Sequence, residues 1–285
     1  MNWATATSIS LLTALLSVVA PAGLAHAAET IASGERGRPY HDVYGANLVK
    51  LLPAFRLENR ATTGSGENLD LLADGGADIG FAQADVYALH LRQDRTRYGA
   101  LTVIGRLGDE CVYLARRVGG PVSNLAALGG EIAGRRPRIA VGPSGGGMAA
   151  TWSLLSTLDP SLARAEVLNT GGTLALNQLS IRLLDAVGWV ADPTSQELVL
   201  LEAVLANPEL ELLAVDDAKL EHALADGTRI LELKSVAVPG ASKAPPLRTL
   251  CTSSVIFARE GANPRLVEAV SQMLSLEREK LLRPR

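Results

Sequence analysis

Two glycine-rich turns carry the most specific chemistry in the chain. Gly64-Ser65-Gly66 precedes a short amphipathic stretch with Leu69, Leu72 and Ala73 on one helical face. Gly142-Pro143-Ser144-Gly145-Gly146-Gly147 lies between an apolar run at 138–141 and a helix predicted over 148–158. Such a turn leaves backbone N–H groups unpaired at the positive end of a helix, which suits an acceptor-rich anion. The second turn is no phosphate-binding P-loop, because the closing Lys-Ser/Thr is absent. Arg36 and Arg38 stand in an earlier loop, 33–40, which ends in Tyr40. A guanidinium matches carboxylate or phosphate geometry, and the plainer reading of each is a solvated loop charge. Gln83 and Asp85 close an apolar strand predicted over 77–82, and Asp85 is also a fitting N-cap for a helix over 86–91. These groups bind; they do not obviously break bonds.

Catalytic chemistry has little footing. Beyond residue 27 the histidines are His41, His90 and His222, on different predicted elements, and HExxH, CxxC and GxSxG are all absent. Ser65 and Ser144 sit in glycine turns without an assignable base. Glu35, Glu67, Asp85 and Asp192 would have to converge for glycosidase-like work. In a chain with 30 Asp and Glu, scattered carboxylates are ordinary. The chain reads as a non-enzyme without cofactor or metal.

The elements that must position these groups alternate strand and helix, which predicts an α/β fold. A helix over 41–52 is stopped by Pro53, and a strand over 55–61 leads into the first glycine turn. Strands over 101–107 and 111–115 follow, then the break Val118-Gly119-Gly120-Pro121 and a short helix over 123–128. Past the break, strands over 138–141, 165–169, 185–191 and 210–215 alternate with helices over 148–158, 174–184 and 195–205. The turn Thr170-Gly171-Gly172-Thr173 opens the second of these helices. A short helix over 219–225, an extended run over 229–238, a strand over 249–258 and a helix over 264–282 complete the reading. Residues 77–85 (ADIGFAQAD) and 184–192 (LDAVGWVAD) are alike in pattern, which supports two similar α/β lobes. Trp189 is either core or cleft wall.

Residues 8–20 are apolar and are followed by Pro21, Gly23 and Ala25-His26-Ala27, a small-x-small cleavage site. The run is shorter than the ~20 residues of a spanning helix, so 1–27 is read as a signal peptide and the mature chain as exported. A net charge of −3 without a basic block gives no footing for nucleic acid. Aromatic content of 4% argues against a stacking surface for sugars or bases, and 47% hydrophobic residues suffice for a packed core.

Gly64, Ser65, Glu67, Asn68, Leu69, Gly76, Ala77, Asp78, Gln83 and Asp85 resemble the first-lobe run of the TAXI family, solute receptors of one branch of TRAP transporters. That family has a Gly-Gly-Ser turn, a Glu-Asn-Leu helix start and a Gly-x-Ala-Asp strand ending in Gln-x-Asp. Ser144 and Gly145 match the second-lobe turn, usually Gly-Pro-x-Gly-Ser-Gly. The resemblance spans most of residues 29–275. It departs at the first loop, usually glycine-rich and uncharged, where Glu35, Arg36 and Arg38 intervene.

The resemblance implies a type II periplasmic binding protein, with each lobe a sheet flanked by helices. Lobe 1 would comprise 28–117 and 249–285, lobe 2 118–248. In that layout the strands beginning at Cys111 and Cys251 are antiparallel neighbours, which implies a disulfide between them in an oxidising compartment. It implies a monomeric periplasmic receptor for a small organic anion, often a dicarboxylate or amino acid, delivered to TRAP permease subunits. A ligand-sensing subunit for a histidine kinase, a binder of a larger apolar molecule and a secreted hydrolase are the alternatives. The expected ligand set is Arg36, Arg38, Tyr40, Ser65, Glu67, Gln83 and Asp85 from lobe 1, with Ser144, Gly145, Gly146, Thr170, Gly171, Trp189 and Asp192 from lobe 2.

Overall fold

The computed structural model describes residues 28–194, 199–225, 227–238 and 245–283. The predicted signal peptide, the start of the helix expected over 195–205 and the Pro239-Gly240 break lie outside these residues. From its first strand the chain builds a parallel sheet. β1 (Thr30–Gly34) pairs in parallel with β2 (Glu58–Ala61) and with β3 (Ile79–Gln83). A π-helical turn (Tyr40–Gly45) running into α1 (Ala46–Leu51) connects β1 to β2, and α2 (Ser65–Ala73) connects β2 to β3. The π turn forms because Asn59 Nδ2 donates to the His41 carbonyl at 2.9 Å and packs against Gly45, where a Cβ would not fit. β2 is shorter than predicted: Pro53–Phe55 is a 3-10 turn and Arg56 is left-handed at φ 48°. All of β3 is buried, as a central strand covered on both faces must be.

α3 (Ala84–Gln93) and α4 (Arg95–Tyr98) lead to β4 (Thr102–Arg117), one strand of sixteen residues where two were predicted. Pairing continues through Gly108, Asp109 and Glu110, so the polar stretch does not end the strand. The second lobe adds β5 (Arg138–Ala140), α5 (Gly147–Leu158), β6 (Glu166–Leu168), α6 (Gly172–Ser180) and β7 (Ala186–Ala191). Here β5 is parallel to both β6 and β7. α7 (Val199–Ala206) and β8 (Leu210–Leu213) follow, and β8 lies antiparallel on β4. The helix predicted over 219–225 is instead a 3-10 turn (Ala218–Leu220) and β9 (His222–Ala223), paired with β10 (Arg229–Val236). Gly227, at φ 86°, turns the chain back there before a helix can form.

β11 (Leu247–Ala258) then returns to lobe 1, antiparallel to β10, β4 and β3. The predicted terminal helix divides into α8 (Pro264–Leu276), capped by Asn263, and α9 (Arg278–Leu282). The break at Glu277 turns Leu281 into the lobe 1 core, where Asn47 Nδ2 holds its carbonyl at 2.8 Å. Strand order is β2-β1-β3-β11-β4-β7-β5-β6, so the long strands β4 and β11 join the two halves. Each half packs apolar side chains on both sheet faces. In lobe 1, Ile31, Phe81 and Leu266 lie on one side and Leu69, Val86 and Phe257 on the other. In lobe 2, Ile139, Leu155 and Trp152 oppose Leu176, Val187 and Leu201.

Cys111 and Cys251 are register partners on β4 and β11 and form a disulfide, with Cα atoms 3.9 Å apart. That is closer than the range of about 4.4–6.8 Å usual for disulfides. Cys111 is the last β4 residue to pair with β11 and the first to pair with β7. The bond sits where the two strands pass between lobes. Denatured, unreduced protein should show no free thiol. The Cys111→Ala/Cys251→Ala variant should lose about 2–4 kcal/mol in urea unfolding, because its unfolded chain regains the entropy of an open loop.

Candidate functional site

The carboxyl ends of the parallel strands in both lobes point at one cleft, the usual ligand position in open α/β sheets. Between the lobes lies a cavity of about 460 Å³, inside the ~300–1,000 Å³ of small-molecule sites. Helices enter its rim by their N-termini. α2 starts after Gly64, α5 after Gly146 and α6 after Gly171, and all three glycines line the cavity. The positive ends of these helices bias that rim, although on α2 the Gly66 N–H is already engaged.

The lobes touch directly beside the cavity. Gly66 N donates to the Gly145 carbonyl at 3.1 Å, joining the two glycine turns across the cleft. This contact explains the glycines. A Cβ on Gly66 would stand 3.1 Å from the Gly145 carbonyl oxygen, and one on Gly147 would overlap the Gln83 side chain. Deeper in, Thr151 on α5 donates to Asp85 Oδ2 on α3 at 2.6 Å, with both residues fully buried. Gln83 Nε2 makes longer contacts to Thr151 Oγ1 at 3.4 Å and Asp85 Oδ1 at 3.5 Å. The Asp85 backbone N–H is held by Thr252 Oγ1 at 3.2 Å. Burial pushes the Asp85 carboxyl up to about 6, against the hydrogen bonds from Thr151, the Val86 backbone and Thr252 that favour its charge.

Of the residues expected at the ligand, Arg38, Tyr40, Ser65, Gln83, Gly146, Gly171, Trp189 and Asp192 line the cavity. Arg38 is at the mouth, its Nε 3.8 Å from Glu35. Tyr40 donates to or accepts from Ser254 Oγ at 2.8 Å and packs against Phe81. Ser65 Oγ accepts from Gln83 N at 3.2 Å. Trp189 is a cleft wall and a core residue at once, stacked on Tyr113 with ring centres 5.6 Å apart. Asp192 ends β7 in a turn closed by Thr194 N and Oγ1, each 2.7 Å from Oδ1.

The remaining expected residues stand off the cavity lining. Arg36 is exposed, and its charge acts on Asp42 on the outer side of the loop. Glu67 accepts from Thr63 N and Oγ1 at 2.8 Å and so closes the turn before α2. Asp85 sits behind Gln83 in the lobe contact; Gln83 occupies the N-cap position of α3 that was expected of Asp85. Ser144 is exposed, and Gly145 gives its carbonyl to Gly66. Thr170 holds Gln178 at 3.4 Å through its hydroxyl and Gly142 N through its carbonyl.

Glu110, Tyr44 and Met148 line the cavity without having been singled out from sequence. Glu110 shares strand parity with Val112 and Leu114, both buried in the lobe 2 core. A carboxylate in step with those residues was the available signal, obscured by reading 108–110 as a gap between strands. Burial raises the Glu110 carboxyl to about 7; a hydrogen bond from Tyr40 opposes the rise, and the charges of Asp85 and Asp192 add to it. Among the described residues, no group of three or more His, Cys, Asp or Glu is placed to hold a metal.

No family model matches the chain, and neither does any curated protein sequence. Solved structures do. XAC2383 from Xanthomonas citri bound to ATP aligns with a TM-score of 0.52 at 14% identity, over 88% of this chain and 86% of that one. The substrate binding protein of an amino acid ABC transporter aligns with a TM-score of 0.51 at 14% identity, over 89% and 96%. The fold is that of the two-lobed periplasmic binding proteins, as the antiparallel β4–β11 connection and the interlobe cavity also indicate.

The lobe contact has two measurable consequences. Gly66→Val places a branched side chain against the Gly145 carbonyl, so small-angle scattering should show a larger radius of gyration than in the parent. Asp85 binds its proton more tightly folded than unfolded, so its contribution to stability falls as pH rises from about 4 to about 6. Asp85→Asn keeps an acceptor for Thr151 and removes the titration. It should match the parent below pH ~4 and exceed its stability by on the order of 2 kcal/mol above pH ~6 in urea unfolding.

Proposed function

We propose that the chain is an exported solute receptor of the TAXI type, which closes its lobes over a small carboxylate-bearing ligand and delivers it to TRAP permease subunits. The observation that carries this reading is the cavity of about 460 Å³ with helix N-termini converging from both lobes. A carboxylate placed among those N–H groups is stabilised without a dedicated cation, more so in a partly dehydrated cleft. The two aligned structures support it in kind: one was solved with ATP, and the other serves an amino acid transporter. The run at 62–85 supports the TAXI assignment, and residues 1–27 support export to the periplasm. In this reading the protein is a monomer that binds without turnover, and its lobes are 28–117 with 249–285, and 118–248.

Gln83 has a particular part. Its amide lies between the lobes at the cavity edge, beside Gly147 and within reach of Thr151. It both orients a ligand and reports closure, since an amide donates and accepts. Arg38 adds a charge-assisted contact at the mouth.

Native mass spectrometry of protein purified from the exported fraction should show a chain beginning at Ala28 with one carboxylate-bearing small molecule bound. Titration with that molecule should then give about ten- to a hundredfold weaker binding for Gln83→Ala and Arg38→Ala. Arg36→Ala and Ser144→Ala, off the cavity lining, should bind as the parent does. Retention of residues 1–27, or loss confined to Arg36 and Ser144, overturns the reading. Capture of a histidine kinase domain in place of permease subunits by the loaded protein would move it to the sensor class.

A further inference from the structure

The polar character of the cavity is uneven. Helix N-termini bring positive bias to the rim at Gly64, Gly146 and Gly171. Acidic groups share that lining. Glu110 projects from β4, and Asp192 ends the neighbouring strand β7. One Asp192 oxygen, Oδ1, is taken by Thr194, while Oδ2 lies toward Gly108, two residues from Glu110 on the same strand face. Among the described residues neither carboxylate has an ion-pair partner. Arg38 is the single cationic residue among those described on the lining, and it is half exposed at the mouth beside Glu35.

A carboxylate at Glu110 facing a partly closed cavity without a cation is costly, because burial strips its hydration and the charges of Asp85 and Asp192 repel it. The surrounding rings sharpen the point. Tyr40, Tyr44 and Trp189 line the same cavity, and aromatic faces with nearby carboxylates are the usual setting for an organic cation. We infer that the ligand carries a positively charged nitrogen, seated at Glu110 and Asp192 among Tyr40, Tyr44 and Trp189. This rests on the receptor reading above and adds a second charged group to the ligand proposed there.

The titration of Glu110 provides a signature. The groups that face it are Tyr40 and Tyr44 from the π turn, Asp85 from α3, Asp192 after β7 and, through Tyr40, Ser254 on β11. Its carboxyl stands near 7 before binding, and a cation placed beside it favours the ionised form. Binding therefore expels a proton, and affinity rises as pH increases through about 7. A ligand that is only anionic would give the reverse slope.

The test is isothermal titration calorimetry and thermal shift with a panel of fixed probes. 4-Aminobutyrate and 4-(trimethylammonio)butyrate carry both charges, glutarate and butyrate only carboxylate, and butylamine only the ammonium. Nitrogen-bearing members should stabilise the protein, bind more tightly as pH rises through about 7 and release protons on binding. Glu110→Gln should abolish the pH slope and weaken them by about tenfold or more. Asp192→Asn, which keeps an acceptor for Thr194, should weaken them without removing the slope. If glutarate or butyrate binds and the nitrogen-bearing probes do not, the receptor reading stands and this inference falls. If no probe binds, or if Glu110→Gln leaves the nitrogen-bearing probes unchanged, the inference falls as well. Failure of the receptor reading shows separately, as a purified protein that carries no small molecule.

Discussion

Antiparallel pairing between β4 and β11 is the constraint on which the two-lobed form depends. Each strand is long enough to serve both halves of the sheet, and they pair from Thr102 opposite Ala258 to Cys111 opposite Cys251, with register shifts between Ser254 and Val255 and between Ile256 and Phe257. A one-residue slip would put Leu107, Phe257 and Ile256 on the wrong faces and separate the two sulfurs. The disulfide therefore works with the pleat: it fixes the register at the point where β4 gains β7 as a neighbour. Beyond that point the two halves of the sheet are connected through these two strands.

The lobe contact follows from this arrangement and from the absence of side chains. Gly64–Gly66 and Gly145–Gly147 meet backbone to backbone, where a Cβ on Gly64 or Gly66 would stand only 3.2 or 3.1 Å from the facing backbone. A single amide hydrogen bond there contributes only about 1 kcal/mol net. Thr151 on Asp85 adds a buried contact, but Asp85 loses hydration to make it. The contacts that join the lobes are thus individually weak.

Legibility in the sequence tracks the kind of signal each feature leaves. The strand–turn–helix transitions at Gly64, Gly142–Gly147 and Gly171 are local, because glycine and apolar periodicity announce them within a few residues. The interlobe placement of Gln83 followed from the end of an apolar strand. Features that depend on a distant partner were hidden. Gly108–Glu110 reads as a gap until β11 pairs with it, and His222–Ala223 becomes a strand only through β10. Asp85 reads as an N-cap because the Thr151 hydroxyl that engages it lies across the cleft. Arg36 and Arg38 are two residues apart, yet only Arg38 faces the cavity; loop direction is not encoded in residue type.

The same division accounts for the polarity of the cleft. Loops after parallel strands carry helix N-termini, so β2, β5 and β6 bring positive ends to the rim by topology alone. Those groups are properties of the fold and suit acceptor-rich ligands in general. Glu110 enters differently, from the middle of an antiparallel strand whose length is set by the need to cross between lobes. Nothing in the crossing requires a carboxylate at that position, and its neighbours Asp85 and Asp192 make one electrostatically unfavourable. A residue that costs stability and faces the cavity is better explained by what it contacts there than by the scaffold that carries it. In the proposed receptor, selectivity is therefore expected to reside at the crossing strands, and affinity and closure at the glycine turns.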